Sequence, residues 1–516
     1  DTGQYAADAP TAVGYLDSGT AAEPVVIRGS TNAWGTWLTH GVRLENARGI
    51  QIRNLRFQSP AGAGAMIRSS EDVLLDEVDV LNAGNGFYVM TSSNVFLRHF
   101  TAAFGKTNGV VSEASFNTRL EFGTIWSNAA AQVVTRNVPQ SGGSPDYAVS
   151  SVAVSNCVLG AFGTRIPAYE IYGSLWANYN DLYLRNGALA ALDYTGPFGR
   201  EYDSVGAWVH GPLGQDGLSL SHDPVFANTL GGDFHLRSSG GRWVPIAAGW
   251  TNDASSSPLI DAGDPTLACT EPGINGGRVN IGRYGNTLEA SQTPTNGALT
   301  LVSFNNGGRA SGIVPIIWLA RGAMTNGTVE IRYSADGGSN WTTLATGVVA
   351  AAGTWSWDTT LSAQSVQAML RIVGSDGSTA TSDGYFVVGN TPFFFYVNDG
   401  YTNNDVYCSA PGSSANSGVS PNSPKADLND LLSKYDLEGG DIVYVDTGTY
   451  TPSVPWRISQ ADSAGTLATD PVVFQGSTNS LVSGTVLQRN FQTGGIQVDY
   501  AIGIRLRNFA VSNALG

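Results

Sequence analysis

The residues best suited to chemistry in the first half of the chain are the acidic group Asp76, Glu77 and Asp79. Enzymes that hydrolyse sugar chains use two carboxylates about 5–10 Å apart. In an alternating strand, however, Asp76 and Glu77 point to opposite faces. The matching positions nearby, which complete no such pair, are Arg98, His99 and Glu121. We therefore interpret the acidic group as a solvated, partly ion-paired surface, and we predict no catalytic residue.

The histidines are not spaced as metal ligands. They are His40, His99, His210, His222 and His235. No two of them lie at ligand spacing within one predicted helix or hairpin. We interpret the segments around His222 and His235 as structural turns.

The three cysteines form no disulfide framework and no metal cluster. Cys157 falls at an apolar position of the repeat described below, which predicts a buried thiol. Cys269 and Cys408 lie in loop-like surroundings, and pairing between them or with another copy of the module stays open.

Two Asp-containing loops, residues 336–338 and 398–400, could take Ca²⁺. Each is short for an ion that takes 6–8 oxygen ligands, so turn formation explains them better. We predict no cofactor and no metal site, with calcium as the weaker alternative.

Tryptophans could form a sugar-stacking platform, and Trp34 and Trp37 are the best candidates among the 12 in the chain. Such a platform would make surface glycans a partner. Burial in a core is the role that we favour for both side chains.

The charge balance excludes two classes of partner. The net charge is −15, whereas nucleic acids and anionic membranes are bound by basic surfaces. No run of about 20 apolar residues is present, so the sequence predicts no membrane insertion. The low content of Lys and Arg fits a secreted protein, and we expect an extracellular or cell-surface location.

A repeat of 22 or 23 residues dominates the first part of the chain, with later copies at longer spacing. Its segments begin at Ile50, Val73, Val95, Thr118, Val152, Leu182 and Leu218. Each follows a turn-type or small residue and has an aliphatic residue two positions on. The fourth position on is mostly polar, as at Asn54 and Asn156, and the fifth is again mostly apolar. Alternation inside this period predicts short strands that stack coil upon coil around a continuous core.

This stretch resembles the right-handed parallel β-helix repeat proteins of giant secreted bacterial type. The resemblance extends to four segments that we expect to cap the stack, residues 223–226, 232–236, 257–264 and 275–285. Some β-helix proteins cleave polysaccharides. The polygalacturonase pattern of adjacent Asp residues, Gly-His-Gly and Arg-Ile-Lys is absent from the sequence, and no pectate-lyase-like set of acidic and basic residues can be assembled.

The predicted fold class is all-β, in three units. Residues 1–291 form a parallel β-helix with a C-terminal cap, and its N-terminal part is cut off. Residues 292–390 have alternating runs at sandwich-like spacing and resemble an immunoglobulin-like or fibronectin-III-like spacer. Residues 391–516 resemble the start of a second β-helix. There, Ser423 is the predicted N-cap of an amphipathic helix, and residues 440–445 are the predicted first strand.

The end of the chain repeats its beginning. Asp446–Tyr450, residues 472–479 and residues 503–508 restate residues 1–5, 25–32 and 49–54, about 445–455 positions apart. We interpret the chain as part of a tandem array, which predicts a structural or adhesive rod whose partners are neighbouring copies, with lateral association left open. The alternative is a secreted polysaccharide-degrading or carbohydrate-binding protein, in which alanine at positions 76, 77 and 79 would abolish cleavage.

Overall fold

The computed structural model describes residues 2–515 except 7–8, 32–34, 59–61, 140–146, 149, 196–198, 210–212, 436, 460–461, 464–468, 480–483 and 500. Strands make up 45% of the residues and helices only 5%, which confirms the predicted all-β class. Among the described residues, no helix is long and apolar enough to cross a membrane.

In the part of the chain that the structure describes, the first β-helix contains 22 strands and one short α-helix. The strands are β1 (Gly3–Tyr5), β2 (Thr11–Val13), β3 (Val25–Arg28), β4 (Thr36–Leu38), β5 (Val42–Glu45), β6 (Arg48–Phe57), β7 (Ala65–Arg68), β8 (Glu71–Leu81), β9 (Phe87–Met90), β10 (Ser93–Ala103), β11 (Val110–Glu113), β12 (Phe116–Trp126), β13 (Val133–Arg136), β14 (Val138–Pro139), β15 (Tyr147–Ala148), β16 (Ser151–Ser155), β17 (Val158–Phe162), β18 (Pro167–Ile171), β19 (Ser174–Asn178), β20 (Asp181–Arg185), β21 (Leu189–Asp193) and β22 (Arg200–Tyr202). The α-helix is α1 (Val205–Val209), and Tyr15–Asp17 is a 3₁₀ helix.

The remaining strands belong to the later parts of the chain. They are β23 (Phe226–Asn228), β24 (Asp233–Leu236), β25 (Arg242–Val244), β26 (Gly249–Thr251), β27 (Ala298–Leu301), β28 (Arg309–Ala310), β29 (Ile313–Arg321), β30 (Thr328–Ser334), β31 (Thr342–Val349), β32 (Thr354–Asp358), β33 (Ser365–Gly374), β34 (Thr379–Thr381), β35 (Phe386–Val388), β36 (Phe394–Val397), β37 (Ile442–Val445), β38 (Gly448–Tyr450), β39 (Trp456–Ile458), β40 (Val472–Gly476), β41 (Thr485–Thr493), β42 (Ile496–Val498), β43 (Ile504–Arg507) and β44 (Phe509–Leu515). The second α-helix is α2 (Leu428–Leu432), and Gly322–Asn326, Ala350–Ala352 and Thr359–Leu361 are 3₁₀ helices.

Two long sheets run along the first β-helix. The larger follows the order β1-β4-β6-β8-β10-β12-β16-β19, and the other follows β2-β5-β7-β9-β11-β13-β18-β21-β22. Neighbours along these orders pair in parallel, except that β22 closes the second sheet antiparallel to β21. Each coil thus contributes a strand to both sheets, as the 22–23 residue period predicts.

The predicted register holds for the first five segments. Ile50, Val73, Val95, Thr118 and Val152 are direct neighbours in the larger sheet. The predicted register is wrong for Leu182. This residue pairs with Leu159 of β17, because Leu175 of β19 occupies the position beside Val152. Leu218 starts no strand. Asp181, the first residue of β20, is of the same turn-forming type as the residues that precede the earlier starts, which explains the wrong prediction.

The corners of each coil depend on left-handed backbone. The residues before the first four starts, Gly49, Asp72, Asn94 and Asn117, all have φ between 52° and 59°. The fourth position after each of the first five starts is also left-handed, with φ between 47° and 55° at Asn54, Glu77, His99, Phe122 and Asn156. This conformation is uncommon outside glycine and favours Asn and Asp, which explains the polar residues at many corners. Stacked corner side chains bond to one another, as Asn117 Nδ2 does to Asn94 Oδ1 at 2.9 Å.

The interior is an aliphatic stack. The residues two positions after the starts, Ile52, Leu75, Leu97, Leu120 and Val154, are at most 1% exposed. Cys157 is fully buried, as predicted, and all three cysteines are free thiols.

The C-terminal end of this stack is closed by α1, where Trp208 is fully buried and donates from Nε1 to Asp216 Oδ2 at 2.9 Å. The four segments predicted to cap the end instead lie along the outer face of the larger sheet. Phe226, Phe234 and Ile260 pack there against Trp126 and Val158 in a separate core. The expected cap position is therefore wrong, because that outer face carries its own apolar side chains and needs a cover. We call residues 222–291 the flanking segment.

The part after the flanking segment consists of two sheets around one core, and their strands pair antiparallel except for β28 and β35, which pair in parallel. One sheet has the order β27-β29-β32, and the other has β28-β35-β33-β30-β31, with β34 beside β33. Trp318 and Trp357 are buried between them, 1% exposed each. We call this part the spacer.

A second parallel stack follows, in which β36, β37, β40 and β43 form one sheet. Two details differ from prediction. The N-cap of α2 is Asp427, whose side chain accepts from Asn429 N, because Lys425 is held in a bridge with Val397. The first strand is β36, and β37 pairs beside it. The apolar face of the helix is buried as predicted, through Leu428, Leu431, Leu432 and Tyr435.

The interior stack predicts a sharp difference between adjacent leucines of β8. Leu75→Ala should lower the free energy of unfolding by about 2–5 kcal/mol, because it opens a cavity in the fully buried column. Leu74→Ala is the matched control, since this side chain points outward and is half-buried, and it should cost well below that. Urea denaturation followed by circular dichroism measures both, and equal losses would contradict the inward-facing column.

Candidate functional site

A groove of about 590 Å³ lies between the outer face of the larger sheet and the flanking segment. Asp76, Glu77 and Asp79 all line it. The expectation that Asp76 and Glu77 face opposite surfaces is wrong, because Glu77 has the left-handed corner conformation, φ 55°, which breaks strand alternation. The sheet contributes further polar side chains at Arg56, Arg98 and His99, and the flanking segment contributes Arg283, Tyr284, Asn286 and Glu289.

Asp76 and Arg98, on the floor of the groove, belong to a row of charges that alternate along the stack and continue beyond the groove. Arg53, Asp76, Arg98 and Glu121 are successive neighbours in the in-register ladder. Parallel strands lie about 4.8 Å apart, so each charge has an opposite charge beside it. Asp76 accepts from Arg98 Nη2 at 2.8 Å and from Arg98 Nε at 3.2 Å. Arg98 and His99 are therefore the partners of the acidic group, a role that the sequence analysis did not assign to them.

Asp79 fixes the flanking segment to the sheet. Its carboxylate accepts from Arg283 Nε at 3.0 Å and from Arg56 Nε at 3.1 Å. Arg283 is 204 residues away in the chain, and its backbone N–H also donates to Thr124 Oγ1 at 3.2 Å. Asp76 and Asp79 are only 6% and 7% exposed, so the acidic group is ion-paired as predicted but is not solvated at these two positions.

The pKa values of both aspartates are lowered. Burial alone would raise the pKa of Asp76, but hydrogen bonds from His99 and Arg98 outweigh it. Burial likewise opposes ionisation of Asp79, and the Coulombic attraction of Arg283 and Arg56 outweighs it. A hydrolytic general acid must hold a proton near neutral pH. Neither aspartate does so, and they act as fixed anions.

His99 forms a dyad with Asp76. Nδ1 lies 2.9 Å from Asp76 Oδ1, and the ring stacks on Phe122 at a centroid distance of 5.2 Å. Burial lowers the pKa of His99 despite the aspartate, so the imidazole is neutral, donates from Nδ1 and leaves Nε2 as an acceptor. Nε2 is buried and has no partner among the described residues. The dyad orients an imidazole in the groove under the flanking segment.

The other predicted candidates lie outside the groove or are engaged in structure. His235 is fully buried with Nδ1 2.6 Å from Asp233 Oδ1, and its ring stacks on Tyr284 at 3.5 Å. His222 contacts the spacer, whereas His210 lies outside the described residues. Trp34 also lies outside them, and one face of Trp37 is covered by the Arg56 guanidinium at 5.2 Å.

The two Asp-containing loops form turns. Asp336 accepts from the N–H and the side-chain amide of Asn340, and Asp399 Oδ1 accepts from Tyr401 N at 2.8 Å. Within the described ranges, no group of three or more His, Cys, Asp or Glu side chains is placed to hold a metal ion.

Comparison with known families identifies one region. Residues 40–174 match the family model described as "Right handed beta helix region". Together with the long parallel sheets, this match makes the first stack a right-handed parallel β-helix. A search of curated proteins finds no match to the chain.

The Asp79–Arg283 pair predicts how firmly the flanking segment is held. Arg283→Gln should lower the free energy of unfolding by about 3 kcal/mol, because it leaves the buried carboxylate with the partly exposed Arg56 as its one remaining charged partner among the described residues. Arg43→Gln removes an exposed pair with Glu45 and should cost about 1 kcal/mol or less. Chemical denaturation of both variants checks the contrast, and a loss as small as that of the Arg43 variant would show that the pair does not fix the segment.

The lowered pKa of Asp79 also predicts the pH dependence of its contribution. An aspartate whose folded pKa is depressed stabilises the fold above its unfolded pKa of about 3.9, and this contribution is lost as the pH falls through the folded value. The difference in unfolding free energy between the wild type and Asp79→Asn should be constant above about pH 5 and should shrink below it. A difference that grows on acidification would contradict the ion pair.

Proposed function

We propose that the chain is a structural or adhesive repeat module of a giant extracellular bacterial surface protein that forms a rod or fibre. In this proposal residues 1–291, 292–390 and 391–516 are a β-helix, a spacer and the start of the next β-helix. The observation that carries this proposal is that the two copies of the repeated sequence form the same strand pairs and the same hydrogen bonds.

The first of these agreements is in strand register. Val25 pairs with Ile50 in the first copy, and the equivalent Val472 pairs with Ile504 in the second. The glycines that directly precede Ile50 and Ile504, Gly49 and Gly503, have φ of 59° and 66°.

The agreement extends to side chains. Ser30 N donates to Thr36 Oγ1 at 2.8 Å, and Ser477 N donates to Thr485 Oγ1 at 2.7 Å. The hydroxyl of each serine also bonds to a threonine, Thr2 at 2.8 Å in the first copy and Thr447 at 2.6 Å in the second. One glycine in each copy, Gly29 or Gly476, lies so close to a neighbouring carbonyl that a Cβ would clash. Such agreement supports a repeated unit with one fold.

Contacts between consecutive units support a rod. Glu201, at the end of the first β-helix, accepts from Arg165 Nη1 at 2.9 Å and from Arg457 Nη2 of the second β-helix at 2.9 Å. Its side chain is 6% exposed. The two β-helices therefore touch each other directly through an ion pair whose carboxylate is largely shielded from water.

The spacer is also bound to both neighbours. Arg321 is buried and donates to the carbonyl groups of Ser257 and Ile260 in the flanking segment. On the other side, Arg309 Nη1 lies 3.4 Å from Asp441 Oδ2, and its guanidinium lies over the Phe393 ring. Units tied at both ends by buried charges resist bending more than units joined by a free linker.

Electron microscopy of the native protein, from the cell surface or the medium, tests the proposal. Long fibres with a recurring unit are expected. Isolated compact particles, or the lack of further copies in the sequence on either side, would overturn it and would direct attention to polysaccharide cleavage.

The joint between the helices gives a sharper prediction for this chain. Glu201→Ala should broaden the range of angles between the two β-helices in single-particle images, because Arg457 then keeps only its pair with Asp499. Glu45→Ala removes an exposed carboxylate of the first β-helix and is the matched control, with no change expected. An unchanged angular distribution in Glu201→Ala would show that the ion pair does not set the joint.

A further inference from the structure

The spacer has an open side where two edge strands face each other across a groove of about 460 Å³. Of the described strands, β31 forms a ladder only with β30, and β32 pairs only with β29. Tyr333 and Trp357 lie at the base of the groove, and Leu344 and Trp355 line it. Leu361, which also lines it, is 85% exposed. Unpaired strand edges beside exposed apolar side chains bind a further strand readily.

Natural proteins usually protect such an edge with charged residues or proline. Here residues 337–357, which include all of β31 and nearly all of β32, contain no Asp, Glu, Lys, Arg, His or Pro. This run of 21 residues is the longest stretch of the chain without a charge. In β31 the residues are mostly Thr and Val, and most of them are exposed. Register irregularities opposite Ile331 bend the strand without adding a charge.

We propose that β31 is the lateral contact of the protein, where it pairs antiparallel with β31 of a second copy and joins the two spacer sheets. A second copy is the occupant that the charges favour. Each chain carries a net charge of −15, so two copies repel over most of their surfaces, whereas this edge meets its twin without like charges. A two-fold axis between antiparallel strands uses the same surface on both chains, and closure gives a dimer.

The added strand would cover part of the groove. It would supply hydrogen-bond partners to the free edge of β31 and would shield Leu344, Trp355 and Leu361 from water. The significance of this contact for a fibre rests on the proposed function, since it would link parallel rods through their spacers. The β31–β31 pairing itself can be measured without reference to a fibre.

Sedimentation of the full chain across a concentration series tests the pairing. The mass should rise from that of one chain, 54.0 kDa, towards twice that value. The variant Thr342→Lys/Thr346→Lys places like charges at two exposed positions of the shared edge. It should remain monomeric. Thr402→Lys/Asn403→Lys adds the same charge at exposed positions of the second stack outside any strand, and it should dimerise like the wild type.

Hydrogen exchange gives a second readout that does not depend on mass. Amides of Thr342–Val349 should gain protection at high concentration in the wild type and lose that gain in the edge variant. A wild type that stays at one chain, or a dimer that persists in the edge variant with unprotected β31 amides, would overturn the proposal. Neither result would alter the electron-microscopy images of single chains. A failure of the pairing proposal is therefore distinguishable from a failure of the rod proposal.

Discussion

The fold of the β-helices depends on the fact that one coil alone can neither pair its strands nor bury its apolar side chains. Its short strands find hydrogen-bond partners only in the coils above and below, and its inward side chains find apolar neighbours only there. In-register stacking therefore brings equivalent residues together, which produces the aliphatic column through Leu75 and the alternating charges of Arg53, Asp76 and Arg98. The left-handed corners follow from the same constraint, since each coil must turn at the same place as its neighbour.

The same stacking leaves surfaces that must be covered, and the later parts of the chain cover them. The end of the first stack is closed by Trp208 of α1, and its outer face is covered by the flanking segment. The groove forms where that cover meets the sheet. Its aspartates hold the cover in place through arginines, so the acidic group that first suggested hydrolysis serves the architecture. The repeated sequence blocks at the two ends of the chain also form matching strand pairs and side-chain hydrogen bonds.

At the candidate site, the sequence predicts the acidic group but not the residues that pair with it. The acidic group was found from the sequence, and its ion-paired state was predicted. The identity of the partners was not, because Arg283 lies 204 residues away and the segment that carries it was placed at the end of the stack. Residues 275–285 are one of the four segments expected to cap the stack, but no local sequence pattern indicates which surface a loop-rich segment covers. The orientation of Glu77 was also missed, since alternation holds only until a left-handed residue interrupts it.

The sequence by itself determined the fold class, the coil period, the register of five segments, the buried thiol of Cys157 and the repeat of the module. These are local or periodic properties, in which each residue type reports its own burial or backbone preference. Only the tertiary structure decided the side of the sheet that the flanking segment covers, the partners of Asp76 and Asp79, the contact of Glu201 with Arg457 and the open edge of β31. Those features join residues far apart in the chain, and they arise from the packing of complete units against each other.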